Sequence, residues 1–294
     1  MSSTDEFQHL HEEAAELGLT GPVPEVERIA ADVPGGRVSA LRWGARPGTV
    51  LLHGAGLNAH TWDGVLLALG RDALAVDLPG HGDSSWRDDF DYRPSTNAAA
   101  VAALLDTVGD GASQLVVGQS LGGLTAVVLA AARPDLVRAL VLVDISPGVR
   151  VGDAKQVSEF LAGPQVFPSR AVIVDHAIAA GIGSDRRRLE RGVALNTRVR
   201  DDGSVVWSHH LAYPPKDAPA LPDIATPWAG LTGTDVPVLL VRAREGYLLD
   251  DVVAEFRDRV PRATVVETAT GHNVQEQDPA GLAAAIAAFA ARLP

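Results

Sequence analysis

Six short apolar runs constrain the fold of this chain more than any other feature. They are TVLLHG (49–54), ALAVDLPG (73–80), QLVVGQS (114–120), ALVLVDI (139–145), VPVLLVRA (236–243) and ATVVETA (263–269). Each is apolar on both faces, a pattern that suits a strand of a parallel sheet covered by helices on both sides. Helical stretches separate them, at about 60–69, 95–108, 121–132, 250–260 and 279–292. Pro134 and Pro261 fall just past two helix ends, and Pro279 suits a first helical position. This alternation predicts an α/β fold with a doubly wound, mostly parallel sheet and right-handed crossovers. Ahead of it, 28–33 and 37–43 read as a hairpin around Pro34-Gly35-Gly36. Residues 5–17 read as a short amphipathic helix followed by a Gly/Pro linker.

One connection breaks the rhythm. Residues 146–235 separate two successive strands, whereas a crossover needs only about a dozen residues. So long a segment must carry structure of its own. Stretches 169–181 and 185–197 look helical, and 197–210 looks like a hairpin turning at Asp202-Gly203. The expected organisation is an N-terminal helical extension and linker (1–27), a first part of the core (28–145), an inserted and mainly helical cap (146–235) and a second part of the core (236–294).

Composition narrows the function. With 294 residues, 46% of them hydrophobic, the chain can bury one large α/β core. A net charge of −12 argues against nucleic acid and anionic membranes as partners. The absence of cysteine rules out disulfides, thiolate catalysis and cysteine metal sites. The acidic, polar segment MSSTDEFQHLHEEAAELG is unlike a secretory signal, and apolar runs such as LGGLTAVVLAAA are too short to span a bilayer. The expectation is a cytoplasmic protein acting on a small molecule, with no cofactor and no metal; homo-oligomerisation stays open.

The chemistry centres on Gly118-Gln119-Ser120-Leu121-Gly122, a G-x-S-x-G pattern between a predicted strand and a predicted helix. A serine on so sharp a turn projects its hydroxyl above the carboxyl ends of the strands. A plain helix-capping serine is the alternative, but that setting favours a nucleophile. A serine hydroxyl needs a base. Of nine histidines, His272 lies just past the last predicted strand, near the same sheet edge. The histidine in turn needs a carboxylate. Two candidates arise. Asp144 ends the strand next to that of Ser120, and neighbouring strands lie about 4.8 Å apart, within reach of a shared histidine. Glu245, after the VPVLLV strand, is the alternative acid. Asp250 and Asp251 read as helix caps. The turn at His53-Gly54-Ala55-Gly56 can aim the Ala55 amide at a substrate oxygen, with the Leu121 amide as second donor. The loop 77–84 (DLPGHGDS), despite Asp77 and His81, reads as structural because it precedes the nucleophile. His209 and His210 fall in the cap and read by default as surface residues, with pocket lining as the alternative.

Together HGAG, DLPGHGDS, GQSLGG, LVLVDISPG and GHNVQ, in this order, resemble the α/β-hydrolase fold superfamily from about Arg28 onward. The resemblance implies Ser120 as nucleophile, His272 as base, and the Ala55 and Leu121 amides as oxyanion donors. Many members carry the acid after the penultimate strand in a G-x-x-D turn, where this chain has Ala243-Arg244-Glu245-Gly246. A minority place it one strand earlier, where Asp144 stands here, as in 2-(acetamidomethylene)succinate hydrolase and its relatives, to which the chain is similar. Ser120 argues against the dehalogenases and epoxide hydrolases of the fold, which use aspartate as nucleophile. The reading is a serine hydrolase of a small carboxylic ester or lactone. Amide or carbon–carbon bond hydrolysis, cofactor-free oxygenase or perhydrolase chemistry, and a ligand receptor are the alternatives. Phe160, Phe167, Trp207 and Tyr213 of the cap are candidate pocket walls, and Arg242 or Arg244 candidate partners for a substrate carboxylate.

Overall fold

The computed structural model describes residues 6–149, 159, 161, 163–183, 185–216, 226 and 228–293. The chain opens with helix α1 (Leu10–Glu16) and the hairpin β1 (Val26–Val33) and β2 (Gly36–Trp43). There follow β3 (Thr49–Leu52), a 3-10 turn (Ala59–Trp62), α2 (Asp63–Leu69), β4 (Ala73–Val76), α3 (Pro94–Val108), β5 (Gln114–Gln119), α4 (Leu121–Ala132) and β6 (Val137–Val143). Between β6 and the next core strand lie β7 (Val166–Phe167), α5 (Arg170–Ala179), α6 (Arg186–Leu195), β8 (Thr197–Val199), β9 (Val205–Trp207), a 3-10 turn (His210–Ala212) and α7 (Ala229–Thr232). The chain closes with β10 (Val238–Glu245), α8 (Asp250–Arg259), β11 (Thr264–Gly271), α9 (Val274–Gln277) and α10 (Pro279–Ala290).

Eight strands form one sheet in the order β1-β2-β4-β3-β5-β6-β10-β11. The β1–β2 and β2–β4 pairs are antiparallel, and the rest are parallel. Alternation along the central strands feeds two apolar layers. Val50, Leu52, Val116, Leu140, Leu142 and Leu240 face the layer that holds α3, α4 and α8. Leu51, Leu115, Val117, Val141, Leu239 and Val241 face the layer that holds α1, α2 and α10. Such positions are intolerant of truncation: a buried Leu→Ala change costs about 2–5 kcal/mol.

The strand order reverses at β3, with β4 on one side and β5 on the other. Ligands of open α/β sheets bind at such a reversal, beyond the carboxyl ends of the strands. Residues 53–56 and Ser120 leave the sheet there. Above it, β7, β8 and β9 form a small antiparallel sheet packed with α5 and α6 around Phe167, Ile173, Val193 and Trp207. The hairpin expected over 197–210 is present, and β7 adds a third strand that two residues of sequence could not signal.

Candidate active site

Ser120 has φ 51° and ψ −121°, directly between β5 and α4. A non-glycine residue with positive φ marks stored strain that the surroundings must hold. The surroundings do so by close approach: a Cβ on Gly122 would overlap the carbonyls of Leu52 and His53 at the end of β3. Only glycine lets α4 start so near that strand. The Leu121 and Ala55 amides donate to no acceptor among the described residues.

Two buried histidines brace the loop after β3. The Leu78 amide donates to His53 Nε2 (3.0 Å), and the Gly56 amide donates to His81 Nε2 (3.0 Å). Each ring therefore carries its proton on Nδ1, donated to Gly54 O (2.7 Å) and Pro79 O (3.0 Å) respectively. Burial depresses both histidines below their ordinary value, so they stay neutral. Asp77 accepts from the Ala59 amide (2.8 Å), the Asp83 amide (3.1 Å) and Arg28 (2.6 Å). The loop 77–84 is thus a scaffold under the site, as its turn-rich sequence suggests.

His272 follows β11, with its Nδ1 2.8 Å from Asp144 Oδ2. Asp144 is fully buried and also accepts from the amides of Ala243 (3.0 Å, to Oδ1) and Tyr247 (3.0 Å, to Oδ2). The Tyr247 ring covers His272, with centroids 4.1 Å apart. Asp144 itself has φ 46°, a left-handed conformation that aspartate tolerates better than most residues. Glu245 ends β10 in register with Gly271, is exposed, and makes no hydrogen bond to His272. A Cβ on the next residue, Gly246, would overlap Asp144 Oδ2. The turn after β10 holds no competing carboxylate; it makes room for the one from β6.

Ser120 and His272 line one cavity, of about 1250 Å³ with its open mouth included. The cap contributes an apolar wall that includes Leu161, Ile182, Leu189, Val193 and Trp207. Of the expected wall residues, Trp207 lines this cavity. Phe167 does not, because it packs edge-on against Trp207 inside the cap (5.7 Å). Tyr213 also falls outside, stacked on Trp86 (5.5 Å) with its hydroxyl donating to Trp207 O (3.2 Å). Phe160 lies outside the described residues. Arg242 and Arg244 turn away to ion pairs with Asp250 and Glu267. His210 bonds the Tyr92 hydroxyl (2.6 Å), but His209 is buried and lines the cavity, contrary to the surface reading of its sequence.

The cavity wall also carries charge. Glu13 of α1, His60, Glu276, and Arg188 and Arg191 of α6 all line it. Burial, with help from Asp63, pushes Glu13 up to about 7. Burial also raises Glu276, whose carboxylate accepts from the Thr61 hydroxyl (2.7 Å). For His60 burial opposes the charge, but Asp63 at 2.8 Å and Glu6 together outweigh it and the group is pushed up to about 10. Among the described residues no three His, Asp or Glu side chains gather where a metal ion could be held. No helix of the described residues is long and apolar enough to cross a membrane.

The family model described as the Alpha/beta hydrolase family matches residues 49–285. The chain is 41% identical to the esterase Rv0045c of Mycobacterium tuberculosis, over 96% of this chain and 94% of that protein. It is 31% identical to the lipase LipV of the same organism, over 82% and 92%. A solved structure of the M. tuberculosis esterase superposes with a TM-score of 0.85 at 40% identity, covering 98% of this chain and 99% of the other. E-2-(Acetamidomethylene)succinate hydrolase shares the fold, with a TM-score of 0.81 at 22% identity over 91% and 100%. Fold, family match and full-length similarity agree: the chain belongs to the alpha/beta hydrolase family and is a hydrolase.

Proposed function

We propose that this hydrolase cleaves a small carboxylic ester, lactones included, through an acyl-enzyme on Ser120. The observation that carries the reading is the strained Ser120 turn sharing a cavity with His272, whose ring is bonded to the buried Asp144. The esterase and lipase names of its full-length relatives support ester over amide or carbon–carbon bonds. An ionised carboxylate only accepts, so the neutral His272 donates its Nδ1 proton to Asp144 and keeps the Nε2 lone pair for catalysis. His272 takes the proton of the Ser120 hydroxyl as its oxygen attacks the ester carbonyl. The oxyanion forms against the Ala55 and Leu121 amides, which donate to no acceptor among the described residues. One such donor is worth about 3–4 kcal/mol in the transition state. The imidazolium returns its proton to the leaving alkoxide. Water then attacks the acyl-serine with His272 again as base, releasing the acid and restoring the serine.

A fluorophosphonate probe tests this directly. Stoichiometric labelling of the wild type, absent in a folded Ser120→Ala variant, is expected together with ester turnover. No labelling of folded protein would instead favour a ligand receptor or a chemistry without an acyl-serine.

A further inference from the structure

The proposed reaction makes no use of His209, a buried titratable group of the cavity wall. His209 is 1% exposed, and its Nδ1 is buried with no hydrogen-bond partner among the described residues. Its neighbours differ: His53 and His81 are each satisfied at both nitrogens. Leaving a buried polar group unpaired costs about 1–3 kcal/mol. Yet the position of His209 is fixed on both sides. Ser208 donates its amide to Asn196 O (3.0 Å) and its hydroxyl to Asn196 Oδ1 (3.1 Å). The His210 amide donates to Gly80 O (2.7 Å). Asn196 also donates to Gly56 O, so this part of the cap is tied to the loop that carries the Ala55 amide. The His209 ring stacks over His81 (6.0 Å) and beside Trp207 (5.4 Å). Its Nε2 is 3.7 Å from where a Cβ on Gly56 would lie. A rigid, unsatisfied imidazole edge therefore overhangs the oxyanion loop from the cap side.

We propose that His209 is a specificity residue whose imidazole hydrogen-bonds a second polar group that the substrate carries beside its scissile carbonyl. The favoured substrates are then esters bearing a hydroxyl or carbonyl next to the ester group, rather than plain alkyl esters. A neutral imidazole both donates and accepts, so either group satisfies it. Burial, with the nearby His53, holds His209 down at about 3, so it stays neutral over the working pH range. The apolar cap wall accommodates the remainder of such a substrate.

The inference rests on the serine esterase reading, and one experiment separates the two. Initial rates are measured on 4-methylumbelliferyl hexanoate, its 2-hydroxy analogue and its 2-oxo analogue, each rate corrected for spontaneous hydrolysis. Wild type, His209→Leu, His209→Gln and Ser120→Ala are compared. The wild type is expected to favour the substituted esters in kcat/KM by at least about tenfold over the plain one. His209→Leu lowers that ratio about tenfold, toward the ratio of the esters' intrinsic reactivities with hydroxide, and His209→Gln, which keeps a donor and an acceptor, retains part of it. Should the leucine variant fail to fold, the glutamine variant and His209→Asn still report the ratio. No preference in the wild type, or a ratio unchanged across the His209 variants, overturns the role of His209 while leaving the esterase intact. No Ser120-dependent turnover of any of the three overturns the esterase reading and this inference with it.

Discussion

The two walls of the cavity are built on different principles. On the core wall the proposed catalytic groups are fixed by backbone: a positive φ at Ser120, another at Asp144, and main-chain amides on both Asp144 oxygens. On the cap wall, α6 is held mainly by side chains. Arg187 pairs with Glu12 (2.6 Å) and Glu16 (3.6 Å) of α1, and Arg191 with Glu13 (3.5 Å) and Glu16 (3.2 Å). Arg188 reaches the carbonyls of Glu276 and Gln277, just beyond His272. Backbone geometry cannot relax without unfolding its strand or turn, whereas an exposed ion pair such as Arg187–Glu12 is weak and screened by salt. The core wall is thus built to hold atoms in place, and the cap wall to hold a shape that can be adjusted.

That contrast breaks most sharply at the acid. Asp144→Asn should lower kcat by about 10²–10⁴-fold, because the amide no longer fixes the histidine tautomer, while Glu245→Gln stays within about twofold of wild type. Steady-state kinetics on one activated ester reads both. Next comes Gly246→Ala. The added methyl displaces the Asp144 carboxylate, and about a hundredfold loss in kcat with a much smaller change in KM is expected.

The same contrast explains what could be read from sequence. Strand–helix alternation and the glycines around Ser120 are backbone demands, and each leaves a local signature in consecutive residues. Asp144 is readable as an acid at the tip of an apolar strand, but the room for its carboxylate beside His272 depends on Gly246, a residue 102 positions later in the chain. The cap was harder. Trp207, Phe167 and Tyr213 are all aromatic, and only packing within a small sheet decides which ring turns to the cavity. His209 looked like a surface residue because nothing in its neighbours signals burial beneath Trp207 and above His81. Pairing of α1 with α6 joins segments about 175 residues apart and leaves only charged residues as its trace.

Smaller effects are expected where the cap is touched. Asn196→Ala removes the bonds to Gly56 O and from Asn58, loosening the cap over the oxyanion loop. It should raise KM about tenfold with a smaller change in kcat. Arg187→Glu should cost only about two- to threefold in kcat/KM at low salt, recovered by adding Glu12→Arg, and the difference should vanish in about 1 M salt. Least of all, Glu13→Gln should act on stability. With the native carboxyl raised to about 7 from an ordinary 4.5, the folded state holds its proton more tightly than the unfolded chain. Wild-type stability therefore falls as pH rises from about 4.5 to 7, and the glutamine variant escapes that loss. Melting curves should coincide more closely at pH 4.5 and separate by roughly 2 °C or more in favour of the variant at pH 8.

The proposed hydrolysis passes an acyl group through Ser120. Rapid quenching of wild-type enzyme with a slowly deacylating p-nitrophenyl ester, followed by peptide mass analysis, tests that step. One acyl group per chain on the peptide containing Ser120, formed in a burst with one equivalent of p-nitrophenol, is the predicted result. Steady turnover with no acyl adduct and no burst, or an adduct on another residue, would contradict it.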